Sequence, residues 1–166
     1  KRAGIASITV PKSEYPDRLN YTGAIVRELR KTGAELVVMA GFMYVLGSEL
    51  FEAFPYKVIN VHPSLIPSFC GNGYYGLHVH EKVLEYGVKL TGATVHYVTT
   101  ETDGGPIILQ KAIEVLEDDS PAALQRRVME LAEWEILPRA VSLFCDGRLK
   151  VDGRRVLIRD PNKNRR

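Results

Sequence analysis

The chain is expected to fold as an α/β domain, a mostly parallel sheet with helices on both faces and a C-terminal hairpin. Three observations predict this. Residues 35–43 are an almost unbroken apolar run, and a strand so uniformly apolar is usually covered on both faces, as in parallel sheets. A short helical stretch, residues 48–54, separates that run from a second apolar segment, Tyr56-Lys57-Val58-Ile59, and a helix between buried strands is the signature of a βαβ unit. Near the other end, residues 148–151 and 154–158 flank Asp152-Gly153, a dipeptide suited to a two-residue hairpin turn.

In chain order, residues 5–10 are a short apolar segment expected to be a strand, closed by Pro11. Ser13 or Asp17 caps the helix that follows. Its buried stripe is expected to be Leu19, Ile25, Val26 and Leu29, and Gly33 ends it. Arg18 stands in its first turn, where the helix dipole disfavours a cation; an anionic partner and a local ion pair explain it equally. Ser48 is expected to cap the short helix and Pro55 to stop it. Residues 78–86 read as a helix ended by Gly87. Residues 91–99 alternate and are β-branched, a strand with His96 on one face. Residues 100–106 form a tight turn, and 107–115 another strand. Ser120-Pro121 opens a long helix. It is expected to bury Leu124, Val128, Leu131, Ile136 and Leu137, to kink at Pro138 and to end at Gly147. Residues 1–158 thus read as one domain, and residues 159–166, with four basic side chains, as a solvated tail. The opening Lys1-Arg2-Ala3-Gly4-Ile5-Ala6 has no initiator methionine and reads as a helix end turning into a strand, so a segment in front of it is expected.

Composition narrows the function classes. With 166 residues, 45% hydrophobic and 25% charged, the chain can bury a core without staples. A net charge of +2 gives no electrostatic case for nucleic acid. Cys70 and Cys145 are far apart and fit neither a metal pattern nor a disulfide framework, so the cytoplasm is the expected compartment. No apolar run approaches the ~20 residues of a membrane span, and no secretory signal opens the chain.

The stretch that invites chemistry is Asn60-Val61-His62-Pro63-Ser64-Leu65-Ile66-Pro67. Asn60 and His62 are two apart, so on a strand they leave the same face. Pro63 and Pro67 lack an N–H and end the ladder there. An amide beside an imidazole at a strand end suits work on a carbonyl group; the plainer reading is a turn with a surface histidine. Ligands of parallel sheets bind beyond the carboxyl ends of the strands, an edge that residues 41–46 and 60–67 share. Gly71-Asn72-Gly73-Tyr74-Tyr75-Gly76 matches G-x-G-x-x-G. It follows an irregular loop and has no acid about 20 residues on, so it reads as a lid and not as a dinucleotide fingerprint. His78 and His80 point apart on a helix, which argues against a metal site. Cys70 reads as a packing residue. Asp103 is a turn former, or a carboxylate able to hold a histidine in its charged form.

Taken together, Asn60-Val61-His62-Pro63-Ser64-Leu65-Ile66-Pro67-Ser68-Phe69, Thr91-Gly92-Ala93-Thr94-Val95-His96-Tyr97-Val98 and Asp103-Gly104-Gly105-Pro106-Ile107-Ile108 resemble the phosphoribosylglycinamide (GAR) formyltransferases, as do Met39-Ala40-Gly41-Phe42-Met43 and Pro11-Lys12-Ser13. The resemblance implies a Rossmann-like fold and transfer of a formyl group from 10-formyltetrahydrofolate, the co-substrate, to the amine of GAR in purine synthesis. It implies Asn60, His62 and Asp103 as the catalytic trio. It places Arg18, Met43, Tyr44, Val45, Leu46, Val58, Asn60, Thr99, Thr100 and Glu101 against the folate, and Gly41 and Glu133 against GAR, with no metal. It implies a monomer or homodimer acting on small molecules, without nucleic acid or membrane. The family begins with a strand and a glycine-serine-asparagine loop that holds the GAR phosphate on backbone N–H groups; this chain starts beyond that point. Residues 72–76 also make a longer loop than some members have. The rival readings are a formyltetrahydrofolate hydrolase with a similar trio and an inactive folate-binding fragment. Methionyl-tRNA formyltransferase fits less well, because it adds a second, basic domain.

Overall fold

The computed structural model describes residues 3–160, so most of the expected basic tail, 161–166, lies outside the described residues. Arg159, its first member, is tied down: its N–H donates to the Arg148 carbonyl at 2.8 Å, and Arg148 Nε donates back to the Arg159 carbonyl at 2.8 Å.

Among the described residues six strands form one sheet in the order β1 (Val37–Met39), β2 (Val58–His62), β3 (Leu90–Tyr97), β4 (Ile107–Glu114), β6 (Arg155–Ile158), β5 (Leu149–Asp152). The pairs β1/β2 and β4/β6 are parallel, while β2/β3, β3/β4 and β5/β6 are antiparallel. Four strands, β1, β2, β4 and β6, therefore run one way, and the sheet is mixed with a mostly parallel sense. The α-helices among the described residues are α1 (Arg18–Lys31), α2 (Ser48–Ala53), α3 (Leu77–Tyr86), α4 (Pro121–Val128) and α5 (Trp134–Cys145).

Helices cover both faces of β2, as alternation along a strand requires. Ile59 and Val61 join the main core with Val83 of α3, Leu124 and Val128 of α4, and Ile136 and Ala140 of α5. Val58 joins a second cluster with Tyr21 and Val26 of α1 and Leu50 and Phe54 beside α2. Asn60 and His62, in phase with Val58, lie on the α1/α2 side.

Several elements depart from the sequence expectation. Residues 5–10 form no strand; Ile5 and Ile8 stay exposed, since no neighbouring strand among the described residues offers them a ladder. The apolar run 35–43 pairs only over Val37–Met39 and leaves Val38 exposed, because β1 is an edge of the described sheet. Asp17, not Ser13, caps α1, accepting the Asn20 N–H at 2.8 Å. The buried face of α1 is Tyr21, Thr22, Ala24 and Val26, with Leu19 exposed. The helix is rotated toward α2 and toward the Tyr15 and Tyr44 rings, which meet Tyr21 at 5.9 Å. Gly47, not Ser48, is the cap position of α2, and its N–H donates to the buried Thr22 hydroxyl at 2.9 Å.

The long C-terminal helix is interrupted by a π-helical turn, Met129–Glu133. The wider turn rotates the register, so Ala132 is buried and the expected core residue Leu131 is half exposed. Pro138 sits inside α5. In the hairpin Asp152 pairs with Arg155, so the two turn residues are Gly153 and Arg154.

Candidate active site

β2 delivers Asn60 and His62 to the end of the sheet, and β3 lies antiparallel beside it with Asn60 opposite His96. The loop after β2 is fastened from below by one buried hydroxyl. Thr94 Oγ1 donates to the Ser64 carbonyl at 2.6 Å and accepts the Ile66 N–H at 3.1 Å and Gln110 Nε2 at 3.0 Å. Ser64 Oγ closes the same loop by donating to the Ser68 carbonyl at 2.6 Å. The loop between β3 and β4 brings Asp103 back over this corner, with Asp103 itself at φ +53° in the left-handed region.

The result is a compact polar cluster. Asp103 Oδ2 is 3.6 Å from His62 Nδ1, and Asp103 Oδ1 is 3.6 Å from His96 Nε2. Asn60 Nδ2 is 3.4 Å from that same His96 nitrogen. His62 Nε2 donates to the Phe69 carbonyl at 2.9 Å, and the Gly71 N–H donates to Asp103 Oδ2 at 2.9 Å. His96 Nδ1 faces the Tyr97 carbonyl at 2.9 Å, so it carries a proton. One Asn60 N–H faces this ring, leaving the second for a ligand.

The electrostatics follow from burial. Loss of water lowers the His62 pKa below its ordinary range, and the neighbouring His96 adds to that; the Asp103 charge and the Phe69 carbonyl pull it back up. Burial raises the Asp103 carboxyl, yet the His96 hydrogen bond, His62 and the Gly71 N–H together hold it below its ordinary value. Glu133 is pushed up by burial alone. His80 is fully buried, with no hydrogen-bond partner on either nitrogen among the described residues, and burial followed by the proximity of His62 lowers it to about 4.

A cavity of about 670 Å³ opens from the cluster, within the range of small-molecule sites. Its walls are the 41–46 segment, the 71–76 loop, the 99–103 loop and the π-helical turn. Gly41, Met43, Tyr44, Val45, Leu46, Asn60, His62, Thr99, Thr100, Asp103 and Glu133 all line it. Arg18, Val58 and Glu101 are not among its lining residues: Arg18 is exposed at the start of α1, Val58 is buried in the second core, and Glu101 is exposed in the turn before Asp103.

The structure adds residues that the sequence reading left out. His96 and His80 line the cavity, as do Arg126 and Met129. His96 was legible only as a strand residue, because its place opposite Asn60 depends on cross-strand register. The G-x-G-x-x-G loop is a cavity wall, with Tyr74 against the Phe69 and His78 rings. Cys70 donates its thiol to the Pro67 carbonyl at 3.3 Å; burial, then Asp103 and Glu101, raise its pKa, which suits a packing residue. Among the described residues, no group of three or more His, Cys, Asp or Glu is placed to hold a metal ion. No helix there is long and apolar enough to cross a membrane.

Comparison with known proteins gives the family. The family model described as "Formyl transferase" matches residues 1–141. The phosphoribosylglycinamide formyltransferase of Escherichia coli (strain K12) is 38% identical over 151 residues, 91% of this chain and 68% of that protein. The chloroplastic enzyme of the same name from Arabidopsis thaliana is 38% identical over 149 residues, covering 89% of this chain. The chain spans about half the length of that plant relative, 50%. The crystal structure of glycinamide ribonucleotide transformylase 1 from Symbiobacterium toebii superimposes with a TM-score of 0.90 at 42% identity, over 96% of this chain and 72% of that one. The family match over most of the chain and these likenesses show that the chain belongs to the formyl transferase family.

Proposed function

We propose that this chain transfers a formyl group from 10-formyltetrahydrofolate to the amine of glycinamide ribonucleotide, a step of de novo purine synthesis. The observation that carries the reading is the convergence of Asn60, His62 and Asp103 on a cavity of which one wall, Met43 to Val45, is apolar and open. A pterin needs such a wall, and a formyl carbon needs such a corner. The names of the relatives support formyl transfer to the same acceptor. In this reading the chain acts in the cytoplasm on small molecules, as a monomer or homodimer and without nucleic acid; the near-balanced charge supports the lack of nucleic acid, and the two free cysteines support a reducing compartment.

In this reading the amine attacks the formyl carbon, the carbonyl oxygen gains negative charge, and the bond to the folate nitrogen then breaks. The Asn60 N–H not engaged by His96 donates to the developing oxyanion, a contact worth about 3–4 kcal/mol in acyl transfer. The protonated fraction of His62, kept by Asp103 against the pull of burial, adds positive charge at the same corner. Asp103 holds that charge and takes the amine proton through water, for delivery to the departing folate nitrogen. Glu133, carried into the cavity by the π-helical turn, holds the ribonucleotide.

The experiment is formyl release from 10-formyltetrahydrofolate measured with and without GAR. Release that requires GAR and yields the formylated amine supports the transferase. Release to water at the same rate without GAR makes the protein a hydrolase, and folate binding without release makes it a binding module.

A further inference from the structure

Phe69 has φ +50°, a left-handed conformation that residues with a Cβ rarely adopt and that clusters at functional sites. This backbone turn aims the Phe69 carbonyl at His62 Nε2, 2.9 Å away. A carbonyl has no proton to give, so Nε2 carries one. The remaining nitrogen, Nδ1, faces Asp103 Oδ2 at 3.6 Å and is the one left to gain and lose a proton. Two residues further on, the Gly71 N–H binds the same Asp103 oxygen at 2.9 Å, so one short segment holds both members of the pair. The Phe69 ring fastens that segment: it packs edge-on against Tyr74 of the 71–76 loop at 6.3 Å and against Tyr86 of α3 at 5.9 Å.

We propose that Phe69 is a positioning residue whose left-handed backbone keeps His62 in its Nε2–H form and so selects Nδ1 as the working nitrogen. The inference deepens the formyl-transfer reading and rests on it for its rate consequence. Its structural half, the tautomer of His62, is read independently of activity.

The test compares Phe69→Gly, Phe69→Asn and Phe69→Val in the full chain. All three delete the ring, but glycine and asparagine tolerate the left-handed region and valine does not. The first readout is the His62 tautomer, from long-range ¹H–¹⁵N spectra of histidine-labelled protein between about pH 5 and about pH 8. The wild type, Phe69→Gly and Phe69→Asn are expected to show protonated Nε2 throughout. Phe69→Val is expected to show mixed tautomers. The second readout is formyl transfer, where the kcat of Phe69→Val falls about tenfold or more below that of Phe69→Gly while KM for the folate stays within about threefold. Should Phe69→Val fail to fold, Phe69→Ala takes its place, with a smaller expected effect in the same direction. Equal tautomers in all variants, or equal rate losses in Gly and Val, overturn the proposal, because then only the ring's packing matters. An inactive wild type with the expected tautomer series would remove the formyl-transfer reading and leave the positioning role standing.

Discussion

Oδ2 of Asp103 lies 3.6 Å from Nδ1 of His62 while the backbone N–H of Gly71 holds that same oxygen at 2.9 Å. Burial already lowers the imidazole's pKa, and this carboxylate is the largest influence in the other direction. Asp103→Asn removes the charge and keeps the shape. His62 then loses its proton at a lower pH, so the fall in rate as pH rises sets in earlier. Activity near pH 7 is expected to drop by a factor of about 10²–10⁴. A pH profile of kcat/KM measures it, and an unshifted profile removes Asp103 from the control of His62.

Asn60 lies opposite His96 and spends one N–H on it. Asn60→Ala deletes the donor aimed at the oxyanion. The expected cost is about 10²–10³ in kcat, with folate affinity little changed, as for other donors that act only on the developing charge. Steady-state kinetics, with folate binding measured separately by fluorescence, distinguish this from a general loss of structure.

Gly105 joins the Asp103 loop to β4. A Cβ placed there would stand 1.8 Å from the Tyr97 carbonyl oxygen, a backbone atom that cannot swing aside. Gly105→Ala must therefore push the loop away from β3. A loss of about 1–3 kcal/mol in stability is expected from urea unfolding. A larger proportional loss of activity should accompany it, because Asp103 moves with the loop. A variant of normal stability and rate would show that the close approach is not needed.

His80 supplies a pH dependence of stability. Its folded pKa is about 4 against an ordinary 6.5, so the fold favours the neutral ring. The unfolded chain binds the extra proton first. The contribution is therefore complete above about pH 6.5, declines as pH falls, and is gone below about pH 4, a span of about 3 kcal/mol. His80→Leu should flatten the difference in unfolding free energy between about pH 7 and about pH 4.5, whatever its effect on stability at neutral pH. An unchanged difference would mean that His80 is solvated in the fold.

The sequence alone was enough for the α/β class, the strand that carries Asn60 and His62, the helix start at Ser120-Pro121, and the C-terminal hairpin. These depend on periodicity, caps and turn dipeptides, which act within a few residues and are written in the chain. The Asn-His-Asp trio was legible only through its likeness to a family, since Asp103 is 41 positions beyond His62 in the numbering. Tertiary structure decided what local signals cannot encode. Register across β2 and β3 set His96 against Asn60. The π-helical turn exchanged Leu131 for Ala132 in the core and brought Glu133 to the cavity. Exposure at the sheet edge turned the apolar run 35–43 into one short strand and a cavity wall. The physical reason is common to all three: burial and cross-strand pairing are properties of two segments at once, and neither segment states its partner.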